Sequence, residues 1–161
     1  SMSATATAAA RPIQRELVIT RIFDAPRALV WRMWIDPRHA MQWWGPRGYP
    51  ATHMTLDVRP GGRWRHCLTS RETGAALWQH GVFREVVMPE RLVFTFQWET
   101  EGERGLETVV TVTFADLGGK TRMDFRQTPF RSDAERDGHR DGWTSTFDRL
   151  VDHLVDEKEG E

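Results

Sequence analysis

A single cysteine, Cys67, stands in the whole chain. No intrachain disulfide can form, and a reducing, cytoplasmic setting fits that count. No run of about 18 apolar residues occurs, so no membrane-spanning helix is expected. Basic charge is not in surplus either. Lys and Arg number 22 against 23 Asp and Glu, for a formal net charge of -1. A partner recognised through its phosphate backbone demands the opposite balance, so neither nucleic acid nor a membrane is expected as a partner. The opening residues SMSATATAAARP are low in complexity and lack the apolar stretch of a secretory leader. Ser1 before Met2 reads as a leftover of expression, and residues 1–14 are expected to form a disordered tail ahead of one domain over 15–157.

Several kinds of chemistry are missing as well. The six histidines show no His-x-x-x-His spacing and the lone Cys has no pair, so no metal site is expected. Gly-x-Ser-x-Gly is absent, and no carboxylate pair falls on an inward face. Gly61-Gly62 is not followed by a helix, so it is a tight hairpin turn and not a phosphate cradle. Arg63-Trp64-Arg65-His66 alternates its charges away from its rings, which is how a half-buried strand looks. No cofactor and no catalytic residue emerges.

What the chain does have is tryptophan, eight residues in all. Such a surplus makes either a heavily aromatic core or a wall against which ligands pack. The periodicity then separates the elements. Glu16 to Phe23 reads as a strand with Leu17, Ile19 and Phe23 on one face. Asp24-Ala25-Pro26 is a helix start, with Asp24 as the cap and Pro26 in the first turn. Val30, Trp31, Trp34 and Ile35 form a helical stripe, and Asp36-Pro37 opens a second short helix carrying Met41, Trp43 and Trp44 until Gly45-Pro46 stops it. From Ala51 the period changes to two. Strands are expected near 51–58, 62–69, 77–87, 91–99, 107–115 and 120–129. The turns between them are too short for parallel crossovers, so the sheet is expected to be antiparallel.

An inner face follows from the alternation: Trp64, His66 and Leu68; Leu92, Phe94, Phe96 and Trp98; Val110, Val112 and Phe114; Met123, Phe125 and Gln127. The opposite face carries Arg63, Arg65, Thr111, Thr113, Arg122, Asp124 and Arg126, and Cys67 alternates with them as an inert thiol. Ser132 to Glu135 has the form of a capping box. The helix it opens carries His139, Trp143, Phe147, Leu150, Val151 and Leu154 on one stripe, with Gly138 and Gly142 inside it. Each glycine costs ~1 kcal/mol relative to Ala in a helix, so close approach or open space is expected beside them. The order β-α-α-β6-α is α+β: a curved seven-stranded antiparallel sheet around one long C-terminal helix. One helix cannot fill the concavity of such a sheet, and the surplus volume is the physical reason to expect a ligand cavity.

Phe23-Asp-Ala-Pro26, Val30-Trp31, Trp43-Trp44-Gly45-Pro46, Asp57-Val-Arg-Pro-Gly-Gly-Arg-Trp64, Pro89-Glu-Arg-Leu-Val-Phe94 and Gly142-Trp143 occur in that order. In this combination the chain resembles the START-like (SRPBCC) superfamily of helix-grip folds over residues 15–156. The branch it is similar to is the C-terminal domain of the activator of the heat-shock-protein-90 ATPase. That superfamily includes lipid and hormone carriers, polyketide cyclases and a self-sacrifice resistance protein, so the resemblance implies a fold more sharply than a function. In the chaperone activator a separate N-terminal domain makes the main chaperone contact, and these residues do not carry it.

Three functions stay open. The first is binding of a small apolar or aromatic molecule between sheet and helix, through Trp34, Trp43, Trp44, His66, Phe94, Phe96, Trp98, Phe125, His139 and Trp143. Each also has a plainer reading as core, and His66 as a buried histidine satisfied by a neighbour. Trp43 and Trp44, adjacent on a short helix, are not expected to face the core together; one should line a cavity mouth or latch the following loop. The second is an enzyme of the cyclase or hydrolase kind, with His66 the best acid or base. The third is a chaperone-associated interaction module. Homodimerisation is left open in all three.

Overall fold

The computed structural model describes residues 15–159. The tail expected over residues 1–14 lies outside the described residues. Strand β1 (Arg15–Phe23) leads into helices α1 (Arg27–Ile35) and α2 (Pro37–Trp43). Six strands follow: β2 (Ala51–Leu56), β3 (Arg63–Thr69), β4 (Ala76–Val87), β5 (Arg91–Trp98), β6 (Thr108–Asp116) and β7 (Thr121–Phe130). A 3₁₀ turn at Glu103–Gly105 interrupts the β5–β6 connection, and α3 (Asp133–Glu159) closes the order. The seven strands form one sheet in the order β1-β7-β6-β5-β4-β3-β2. Every pairing is antiparallel. This is the antiparallel sheet with one long C-terminal helix expected from the alternation and the short turns, and it is the helix-grip fold that the resemblance implied.

The inner face is as expected. Trp64, His66, Leu68, Phe94, Phe96, Val110, Val112, Met123, Phe125 and Gln127 are buried. On the outer face Arg63, Arg65, Arg122 and Arg126 are exposed. Cys67 sits there too, yet only 2% of it is accessible. Its cross-strand partners are His53 and Trp78, whose rings lie 5.7 Å apart, and neighbours directly opposite on one face cover each other.

Helix α3 is 27 residues long, about 40 Å at 1.5 Å per residue. Ser132 Oγ accepts from the Glu135 amide at 3.1 Å, which is the first half of the expected capping box. The Glu135 carboxylate lies instead 3.8 Å from His139 Nδ1, one turn on. Trp143, Phe147, Leu150 and Leu154 are buried, whereas Val151 is exposed at the edge of their stripe. The helix packs most closely on β1 and α2, and it stands off from β3, β4 and β5. That asymmetry decides where space remains.

Two local expectations are corrected. Asp24 does not cap α1. Pro26 is the N-cap residue, in extended conformation with φ -67° and ψ 150°, and no side chain caps the helix. Asp24 faces the far end of α3 instead, where Lys158 Nζ donates to its backbone carbonyl at 2.7 Å and lies 3.5 Å from its carboxylate. The second correction concerns Trp43 and Trp44, which are both buried, at 0% and 5% exposure. The helix ends between them: Trp44 is already extended, with φ -69° and ψ 135°, so the two side chains leave the backbone in different directions. Trp43 donates its indole N–H to the Met33 carbonyl (3.1 Å), while Trp44 reaches across to Gln79 on β4 (2.7 Å).

Candidate ligand pocket

Gly45 shapes the first wall of the site. Its φ of +91° is a left-handed conformation, and a Cβ there would run into the Tyr49 carbonyl. The chain therefore turns sharply after Trp44 and returns toward β2. Arg149 on α3 holds this turn. Its guanidinium donates to the carbonyls of Trp44 (2.9 Å), Gly45 (2.8 Å) and Gln42 (3.1 Å). Burial pushes the Arg149 pKa down, while the carbonyl cage supplies partners for the charge.

Between this turn, the first half of α3 and strands β3–β5 lies a cavity of about 380 Å³. Trp44, Gly45, Pro46 and Tyr49 form one side. Leu68, Leu77, Gln79, Phe96 and Trp98 form the floor, and Glu135, Gly138, His139, Gly142, Trp143 and Thr146 the roof. Arg104 stands at the rim with its guanidinium 4.6 Å from the centre of the Trp98 ring. The exposed members Tyr49, Arg104 and Gly138 mark the side open to solvent. A Cβ added at Gly138 or Gly142 would meet nothing within 4 Å, so these glycines border open space and are not close helix contacts.

The three pocket tryptophans share one feature. Each has its indole N–H engaged in the wall: Trp44 with Gln79 Oε1 at 2.7 Å, Trp98 with His139 Nε2 at 3.1 Å, and Trp143 with Gln127 Oε1 at 2.8 Å. Gln127 is itself held, donating to Thr108 Oγ1 at 2.9 Å, and Thr108 donates to the Phe96 carbonyl at 3.1 Å. With their polar edges satisfied, the three rings offer apolar and π surface to whatever enters. Gln79 keeps one polar group in reserve, since its amide nitrogen makes no hydrogen bond among the described residues.

The histidines divide. His139 lines the cavity, and both of its ring nitrogens are occupied. Nδ1 lies 2.8 Å from the Glu135 carbonyl, so it carries the proton, and Nε2 accepts from Trp98. Burial lowers its pKa, in keeping with that neutral form. His66 does not line the main cavity. It lies between the rings of Trp64 (4.7 Å) and Trp44 (5.0 Å), 2% exposed, and its Nδ1 is buried without a hydrogen-bond partner. The satisfied buried histidine expected there is thus an unsatisfied one at Nδ1. Desolvation pushes its pKa down to about 4, against a smaller upward pull from the Arg65 backbone.

Of the ten candidate residues, the cavity gathers Trp44, Phe96, Trp98, His139 and Trp143. The other five lie elsewhere. Trp34 and Trp43 pack 5.0 Å apart between the short helices and the sheet, and Trp34 is 6.4 Å from Phe94. Phe125 is fully buried with its ring 4.6 Å from that of Trp143, and it is not part of the cavity lining. Sequence reasoning missed Leu77, Gln79 and Arg104. Leu77 and Gln79 had a signal, because they pair across with the inward residues Leu68 and His66. Arg104 had none, since it belongs to a connection with no period.

The family model described as Activator of Hsp90 ATPase homolog 1-like protein matches residues 24–155. The chain belongs to this family. Solved structures agree with the assignment. The AHSA1 protein of Silicibacter pomeroyi is 25% identical, with a TM-score of 0.80 over 89% of this chain and 99% of that one. A protein of Rhizobium leguminosarum is 26% identical, with a TM-score of 0.75 over 89% and 95%. One from Arthrobacter aurescens is 26% identical, with a TM-score of 0.76 over 88% and 86%. No curated protein matches the sequence. Among the described residues of this AHSA1-like chain, no helix is long and apolar enough to cross a membrane.

Proposed function

We propose that this AHSA1-like chain binds a small, flat, largely apolar or aromatic molecule in the cavity beneath the first half of α3. The observation that carries the reading is the set of three tryptophans whose N–H groups are all spent within the wall. A site built this way rewards ring stacking and apolar contact. It offers Gln79 as a buried donor and the Arg104 guanidinium at the rim for a polar or anionic end of the ligand. The volume of about 380 Å³ is in the range that small-molecule sites occupy. Catalysis draws less support. A general base needs a free nitrogen in reach of substrate, whereas His139 has none to spare and His66 is walled off by rings. An interaction module draws less again, because ion pairs such as Arg65 with Glu99 (2.8 Å) stud the outer sheet face, among which Val18 and Ile22 are exposed apolar side chains.

The test is an equilibrium titration of the intrinsic tryptophan fluorescence with naphthalene- and anthracene-type carboxylic acids. Saturable quenching at one site is expected, lost in a Gly142→Leu variant whose added side chain projects into the cavity. Absence of saturation with every compound, or equal binding by Gly142→Leu, would sink the reading. Native mass spectrometry of protein purified from its own host then names the molecule.

A further inference from the structure

Away from the cavity, His39 on α2 meets His153 and Glu157 on α3. The two α3 residues are four apart, so they lie one above the other on a single helix face. His39 comes from 114 positions earlier in the chain, and its Nδ1 is 3.1 Å from His153 Nε2. Glu157 Oε1 is 3.9 Å from each of those nitrogens. One ligand atom from each residue therefore falls within 4.8 Å of the others. None of the three lines the cavity, and His153 is ten residues past Trp143, ~15 Å along the helix axis.

We propose that His39, His153 and Glu157 form a binding site for a divalent transition metal, zinc foremost, which fastens α2 to the last turns of α3. Zinc takes imidazole nitrogen at ~2.0–2.1 Å in tetrahedral geometry, and so sets its ligand atoms ~3.3 Å apart. The two histidine nitrogens already stand close to that edge, and the carboxylate oxygen needs to approach by only about half an ångström, which a side-chain rotation supplies. Two neutral imidazoles and one carboxylate give the site a charge of -1, suited to a dication. The side chains are 21%, 12% and 39% exposed for His39, His153 and Glu157, so an ion can enter from solvent and a water can complete the coordination. Local sequence spacing did not show the site because the third ligand comes from a different helix.

Isothermal titration of the metal-stripped full chain with zinc chloride tests this, with cobalt(II) absorption reporting geometry. One saturable equivalent is expected, together with tetrahedral cobalt bands and a melting temperature that rises with zinc. His39→Ala and His153→Ala should each weaken binding by ~100-fold or more and Glu157→Gln by at least ~10-fold, since losing a direct ligand costs no less than the ~10–100-fold that losing a ligand's outer hydrogen-bond partner costs. His53→Ala, on the outer sheet face, should bind as the parent does. Circular dichroism checks that the variants fold. In the parent protein, imidazole NMR signals identify the ligands directly, and zinc should move those of His39 and His153. No saturable binding below millimolar zinc would overturn the proposal. So would full binding by the His39→Ala and His153→Ala variants, or zinc-induced shifts confined to other histidines.

Discussion

The first half of α3 runs over open space, and the second half is locked into the core. Between Asp133 and Thr146 the helix has two glycines whose absent side chains would have met nothing within 4 Å. From Phe147 onward it buries Phe147, Leu150 and Leu154 to 4% exposure or less. Phe147 is 5.3 Å from Phe125 and 6.1 Å from Trp34, so it joins the sheet to the short helices. The same helix thus acts as a roof at one end and an anchor at the other.

The largest effect expected from this contrast belongs to the anchor. Phe147→Ala should destabilise the fold by ~3–5 kcal/mol, measured by urea unfolding, because the space left cannot collapse among so many fixed rings. A loss below ~1 kcal/mol would mean that the second half of α3 is as loosely held as the first. Next comes the boundary between the two regions, where His66 is sealed between Trp44 and Trp64. Its folded pKa of about 4 lies below the ordinary 6.5, so the unfolded chain binds the proton more readily. Stability is fully present above pH 6.5 and should fall by roughly 3 kcal/mol as the pH drops toward 4. His66→Gln should flatten that part of the curve. Parallel curves for the two proteins would show that His66 is not held neutral.

The smaller effects lie at the roof. Gly142→Leu should leave the melting temperature nearly unchanged, since the side chain enters open space, while it abolishes ligand binding. Destabilisation by ~1–3 kcal/mol would instead mark a close contact and undo the contrast. Gly142→Ala is the mildest change. It should raise stability by up to ~1 kcal/mol through helix propensity alone, read from thermal melts, with binding retained.

Much of this molecule was legible in its sequence. The strands followed from alternation, because a period of two leaves one face to bury and one to wet, and Phe96, Trp98 and Gln127 were assigned inward on that ground. Gly138 and Gly142 stood out because a helix does not keep such residues without an offset. Other features were not legible. Trp43 and Trp44 defied the argument from helical spacing because the helix stops between them, a matter of one backbone rotation. Asp24 has the chemistry of a cap, but Pro26 takes the N-cap position and Asp24 lies two residues ahead of it.

The sequence by itself determined the order of elements, the antiparallel sheet and its inward face, because each rests on local periodicity and on turns too short to permit anything else; the family was legible in a different way, through the resemblance carried by its ordered motifs. Only the tertiary structure decided which aromatic residues line the cavity and which fill the core, and which histidine meets which partner. Those outcomes depend on how far α3 stands from β3–β5 at one end and how closely it packs on β1 and α2 at the other. Such distances are set by the sum of all the packed side chains, and no single stretch of sequence records them.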